Sequence, residues 1–114
     1  MAKADETVRQ VAFLIQNNMT GIAVNRIYYG MFHALSALAL KHQFVTSKHG
    51  QLIGWFNKNF VKDELVNRKF GQFIRDAFDS RSSGDYIKFT TDEVMALFQE
   101  MKEFIYEMHK LINQ

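Results

Sequence analysis

Arg26-Ile27-Tyr28-Tyr29-Gly30-Met31-Phe32-His33-Ala34-Leu35-Ser36 sits inside a nearly continuous apolar run from Ile22 to Leu40, yet it carries a polar line of its own. On a helix, Arg26, Tyr29, His33 and Ser36 recur at steps of three and four and share one face. A rod that is apolar on most sides is normally surrounded by other helices or by a second subunit. The polar seam then needs partners inside that assembly, because an unpaired buried arginine is costly. Either an acidic or hydroxyl group meets Arg26, or the seam opens on a wet cleft. The second arrangement is where function would sit.

On either side of this rod the chain reads as helix throughout, with no proline, no useful strand-like alternation and no Asn-Gly hairpin signal. A first helix, roughly Lys3 to Asn17, presents Val8, Val11, Ala12 and Ile15 on one face, with Asp5 and Glu6 in its first turn where they complement the helix dipole. After a short break at residues 17–21 the central helix follows, with Thr20 as its expected cap, and runs to about Gln43. Thr46 or Ser47 is expected to cap a third helix over Lys48 to Phe60, with Leu52, Ile53, Phe56 and Phe60 inward. Its glycines Gly50 and Gly54 point either to close helix contact or to an irregular segment. Residues 61–67 form a polar connection. A fourth helix, about Arg68 to Arg81, carries the stripe Phe70, Phe73, Ile74, Ala77 and Phe78. Arg81 extends that stripe toward the core side, while Arg75 and Asp79 form an outward i,i+4 pair. Thr90-Thr91-Asp92-Glu93 reads as a capping box before a last helix whose period holds from Val94 to Ile112. The fold class expected is all-α: one domain over residues 1–114, an up-and-down four-helix bundle with one additional short helix.

At 114 residues, with 47% hydrophobic and 23% charged residues, the composition is that of a single globular domain with a real core. Eleven Phe, four Tyr, one Trp and six Met fill that core and leave apolar surface that a homodimer would bury. With no cysteine, disulfides and thiolate metal sites are excluded, which fits a reducing cytoplasm. The N-terminal residues lack a secretory apolar region. Asn25, Arg26, His33 and Ser36 interrupt the Ile22–Leu40 run too often for a membrane span of roughly 18 residues. The net charge of +2 conceals an asymmetry: Thr7 to Lys62 holds no acid and six bases, Asp63 to Gln114 ten acids and seven bases. Sparse spacing of the bases favours complementary helices of one bundle over a polyanion-binding patch.

Metal chemistry has little support, since His33, His42, His49 and His109 show no short ligand spacing and no His-Glu-x-x-His occurs. No cofactor motif, phosphate-cradling glycine loop or nucleophile elbow is present. Two inward polar groups remain as candidates: the seam Arg26, Tyr29, His33 and Ser36, and Arg81 with the segment Ser82-Ser83-Gly84-Asp85-Tyr86.

Asn25-Arg26-Ile27-Tyr28-Tyr29-Gly30-Met31-Phe32-His33-Ala34 resembles the R-x-Y-Y-A-M-F-H-A signature of HEPN domains, small helical proteins often encoded beside minimal nucleotidyltransferases. The likeness continues through Ser47-Lys48-His49-Gly50, through residues 56–62, and through Ala77-Phe78-Asp79-Ser80-Arg81-Ser82-Ser83-Gly84-Asp85-Tyr86, and so covers almost the whole chain. The resemblance implies a homodimer whose two copies enclose a cleft lined by basic and polar residues. It also implies a toxin-antitoxin-type pairing with a minimal nucleotidyltransferase, and nucleotide or RNA as ligand. Arg26, Tyr29, Ser36, His49 and Asp85 are then candidate ligand-binding residues.

Many HEPN members are metal-independent ribonucleases with an R-x(4-6)-H motif, in which the arginine steadies phosphate charge and the histidine handles the proton. Arg81 matches the arginine, but residues 86–88 are Tyr86, Ile87 and Lys88, so the motif ends as Arg-x4-Tyr. A phenol with a pKa of about 10 accepts protons poorly at neutral pH compared with an imidazole near 6.5. Cleavage would need Tyr86 with a strongly lowered pKa, or His33 as substitute base, and the sequence favours an altered or non-catalytic site over an active nuclease. The candidate catalytic set is Arg81, Tyr86 and His33, with Tyr86 also a candidate hydroxyl acceptor for nucleotidyl transfer. The competing structural roles are a salt bridge from Arg81 to Asp85 or Asp79, and a hydrogen-bonded core or interface position for His33.

Overall fold

A computed structural model describes the backbone of residues 1–82 and 89–114 and the side chains of residues 1–79 and 89–114. Within them the chain is all helical: α1 (Ala2–Gln16), α2 (Thr20–Lys41), α3 (His49–Phe56) running directly into a π-helical turn (Asn57–Val61), α4 (Arg68–Ser82) and α5 (Thr91–Ile112). The expected four-helix bundle with one short extra helix is therefore the architecture observed. Two 22-residue helices, α2 and α5, set its length, since at about 1.5 Å per residue each spans roughly 33 Å.

The apolar run around Tyr28 becomes the central rod. α2 packs against α1, α3, α4 and α5, and it buries Ala23, Ile27, Tyr28, Gly30, Met31, Ala34, Leu35, Leu38 and Ala39. Gly30 is the point of closest approach: a β-carbon there would overlap the terminal methyl of Met101 on α5 and come within 3.2 Å of Thr7 on α1. α1 turns a different face inward from the one expected. Ala4, Thr7 and Val11 are buried, with Leu14 packed behind them, while Val8, Ala12 and Ile15 are only half-buried. The small residues Ala4 and Thr7 let α1 lie close to Gly30, and the Thr7 hydroxyl meets its own hydrogen-bonding need by donating to the Lys3 carbonyl at 2.7 Å.

Helix ends depart from expectation where no side chain is needed. Thr20 is the first helical residue rather than the cap, and Met19 stands at the cap position without a side-chain bond. The preceding turn is made by Asn18 in the left-handed region, φ 58°, a conformation asparagine tolerates well. Neither Thr46 nor Ser47 caps α3, whose cap position is Lys48. Thr46 instead accepts the Lys48 N–H and donates to Gln51. Leu52, Ile53, Phe56 and Phe60 do face inward.

Gly50 and Gly54 have open space around them, so close helix contact is not their role. The intimate glycine contact is at Gly71 on α4, where a β-carbon would lie 2.7 Å from the Asn57 side chain and 3.1 Å from Val61. The π turn widens just there, and α4 seats against it. Residues 61–67 are not wholly polar, since Val66 is buried. Arg75 and Asp79 are exposed and make no ion pair with each other, the nearby i,i+4 contact being Gln72 to Asp76.

The capping box at Thr90 and Glu93 forms as expected, with both reciprocal hydrogen bonds. At the other end of α5, Lys41 donates to the carbonyls of Leu111 and Ile112, a cation on orphan acceptors at the helix C-terminus. No helix among the described residues is long and apolar enough to cross a membrane.

Candidate functional site

The seam on α2 is real as a line but not as one pocket. Arg26 is exposed, and it borders a groove of about 530 Å³ between α1 and α2 with Glu6, Arg9, Gln10, Phe13, Leu14 and Ile22. It has no ion-pair partner among the described residues, so the open arrangement applies rather than a buried salt bridge. His33 and Ser36, both half-buried, face a second, smaller hollow of about 360 Å³ with Lys3 and the start of α1. Burial, together with the positive charges of Lys3, Arg26 and the amino terminus, holds the His33 imidazole below its ordinary pKa of 6.5. His33 is therefore biased toward its neutral form.

Tyr29 joins this side of α2 to another. Its ring is 6.4 Å from His33 and 6.4 Å from His49, the latter edge-on. His49, the first residue of α3, lies in an aromatic nest. Its ring stacks on Phe32 with centroids 3.9 Å apart, lies 5.6 Å from Tyr28, and is 6.4 Å from Phe78 of α4. The hydroxyl of Tyr28, a residue only 1% exposed, meets His49 Nδ1 at 2.5 Å. Phe78 also packs against Tyr28 at 6.0 Å. α4 continues from Phe78 through Arg81 to Ser82, so the backbone of Arg81 lies one turn beyond the nest.

Among the residues singled out from the sequence, the structure thus brings Tyr29, His33 and His49 around one stretch of α2, leaves Ser36 a turn further on, and sets Arg26 in a separate groove. The side chains of Arg81, Asp85 and Tyr86 lie outside the described residues. Tyr28 was not among the candidates, because its position belongs to the buried side of the rod. The available signal was the tyrosine doublet itself, since a fully buried phenol needs a polar partner, and His49 provides one. Among the described residues no three histidine or carboxylate side chains converge as a metal site.

The all-helical domain built around α2 has counterparts among known proteins. The HEPN domain model matches residues 1–113, and the chain belongs to that family. It is 34% identical to a UPF0332 protein of Thermotoga maritima, across 97% of this chain and 86% of that protein. It is 27% identical to a Methanocaldococcus jannaschii protein named "Putative toxin MJ0605", across 97% and 84%, and 28% identical to "Putative toxin MJ0142" of the same organism, across 95% and 69%.

Proposed function

We propose that this chain is the toxin-side component of a two-gene, toxin-antitoxin-type pair: a cytoplasmic homodimer that binds RNA or a nucleotide at the end of α4 and is held in check by a minimal nucleotidyltransferase. The observation that carries the site is the contact of the Tyr28–His49–Phe32 nest with Phe78, one turn before Arg81. The partly exposed rings of Phe32 and His49 suit stacking of a base, and Arg81 is the residue proposed to meet its phosphate. The toxin assignment is supported by the names of two of the relatives and by membership of the family.

The test is expression in a bacterial host with and without a minimal nucleotidyltransferase encoded beside the gene. Growth arrest by the chain alone, relief by the partner, co-purification of the two and loss of arrest in Arg81→Ala are expected. A nucleotidyl group on Tyr86, found by peptide mass spectrometry after co-expression, would identify how the partner acts. Harmless expression together with no partner in the purified material would sink the pairing.

A further inference from the structure

We infer that the groove between α1 and α2 is a docking site for an amphipathic helix of a partner protein, one that presents apolar side chains and carboxylates one turn apart. This goes beyond the pairing proposed above and stands whichever ligand occupies the end of α4. The groove, about 530 Å³, is built as two rungs. α1 and α2 are joined by residues 17–19 and run antiparallel, so each rung is placed by its distance from that turn. Phe13 lies four residues before Asn17 at the end of α1, and Ile22 lies three after Met19 at the start of α2. These two side chains, 61% and 53% exposed, form an apolar rung. Arg9 and Arg26 each stand four residues further from the turn, about 6 Å along the helix axes, and form a cationic rung. Leu14 and Gln10 line the groove between them, and Glu6 lies beyond Arg9.

Neither rung is satisfied within the chain. Apolar side chains exposed together mark interaction surfaces, and aromatic residues and arginine are the types that interfaces enrich. Arg9 and Arg26 pair with no carboxylate among the described residues, although Glu6 borders the same groove, and a guanidinium keeps its charge at any physiological pH. The spacing of the rungs is that of a helical turn. A third helix lying along the groove presents positions i, i+3, i+4 and i+7 on one face, so apolar residues at the first two meet Phe13 and Ile22 while carboxylates at the last two meet the arginines. Glu6, past the cationic rung, repels further carboxylates and sets how far the acidic part of that face extends. Shape and charge favour such a helix over a second copy of this chain. A twofold contact sets the same patch on both sides, so it would face one concave groove with another and supply a single carboxylate, Glu6, for each pair of arginines.

The experiment uses the purified full chain and a fluorescein-labelled helical peptide, amidated at its C-terminus, with Leu at i and i+3, Glu at i+4 and i+7, and alanine or glutamine elsewhere. Binding is read by fluorescence anisotropy. One control peptide carries Lys in place of both Glu, and a second carries the Glu residues on the opposite face. Wild type is expected to bind the Glu peptide with a Kd of about 100 µM or tighter, the strength of a weak, transient contact, and to prefer it to either control by at least about tenfold. That preference should shrink as added salt screens exposed charges. Phe13→Ala should weaken binding at least about fivefold, as removal of an aromatic anchor does. Arg9→Glu combined with Arg26→Glu should transfer the preference to the Lys peptide, which non-specific adhesion cannot do. All three side chains are exposed, so melting temperatures close to that of wild type are expected. Equal binding of the Glu and Lys peptides by wild type, or undiminished binding of the Glu peptide in these variants, overturns the inference. No binding of the Glu peptide overturns it too. In that case, phosphatidylserine vesicles bound by wild type and not by Phe13→Ala would make the groove a membrane contact, and self-association lost in Phe13→Ala would make it a contact between copies.

Discussion

At the scale of single residues, two titrating side chains report the fields around them. His33 is held below pKa 6.5 by burial and by Lys3 and Arg26. Its neutral form is thus favoured in the fold, so the unfolded chain takes up the proton first as pH falls, and stability drops through 6.5 toward the lowered folded value. His33→Asn should therefore lose less stability than wild type between pH 7.5 and 5.5 in urea unfolding, and equal losses would refute the assignment. Glu100 on α5 shows the opposite shift: burial first, then Asp76 and Glu103, raise its carboxyl above 4.5. A raised carboxyl contributes stability fully below 4.5 and loses it as pH rises through the folded pKa. Glu100→Gln should be more stable than wild type at pH 7 by a few tenths of a kcal/mol after allowance for solvent screening. That gain should vanish at pH 4. The seam that contains His33 was legible in the sequence because helical period places side chains reliably around an axis. The Tyr28–His49 pair was not, because 21 positions separate them and no periodicity joins a residue inside α2 to the first residue of α3.

At the scale of elements, sequence pattern succeeded where a helix has one clear apolar stripe and a side-chain cap. α5, with its Thr90–Glu93 box and inward Val94, Met101, Phe104, Ile105, Met108 and Leu111, is the plainest case. It was less informative where backbone geometry decides. The capless start of α2 and the π turn at Asn57–Val61 carry no side-chain signal, and the left-handed turn at Asn18 is one that asparagine permits without announcing it. α1 shows the same effect, its inward face being chosen by the close approach at Gly30. The signature that this stretch resembles carries alanine at that place, and here Met101 fills the space instead. Gly30→Ala should gain helix propensity of up to about 1 kcal/mol but overpack the core by about 1–3 kcal/mol, for a net loss. Met101 is fully buried, so its methyl has little room to move away. Adding Met101→Leu, which lacks the terminal methyl, should recover most of the loss. A double variant no more stable than Gly30→Ala alone would show that Thr7, rather than Met101, sets the limit.

At the scale of the whole molecule, the charge asymmetry of the sequence survives folding. Complementary helices were expected to neutralise it, yet Arg9, Arg26, Lys48, Lys58 and Lys62 form no ion pair with a carboxylate among the described residues, and Lys41 binds carbonyl groups. Among the described residues the ion pairs are Lys69–Glu103, Lys110–Glu107 and, when the imidazole is protonated, His109–Asp5, all with at least one well-exposed member and so worth little. His33 and Glu100 agree with this picture: cations crowd His33 against α1, and carboxylates crowd Glu100 between α4 and α5. Exposed charges further apart than the Debye length, about 10 Å at 0.1 M salt, are already largely screened, so the like charges that shift His33 and Glu100 weigh more than attraction between the basic and acidic halves. Added sodium chloride should then relieve more repulsion than attraction. Raising it from 0.05 to 0.5 M at pH 7 is expected to increase Tm by about 1–2 °C, corresponding to a few tenths of a kcal/mol for a domain of this size. The same titration should give a smaller rise in Glu100→Gln, which removes one member of the acidic group. A Tm that falls with salt would mean that attraction across the bundle outweighs the crowding, and that the basic and acidic halves do stabilise one another after all.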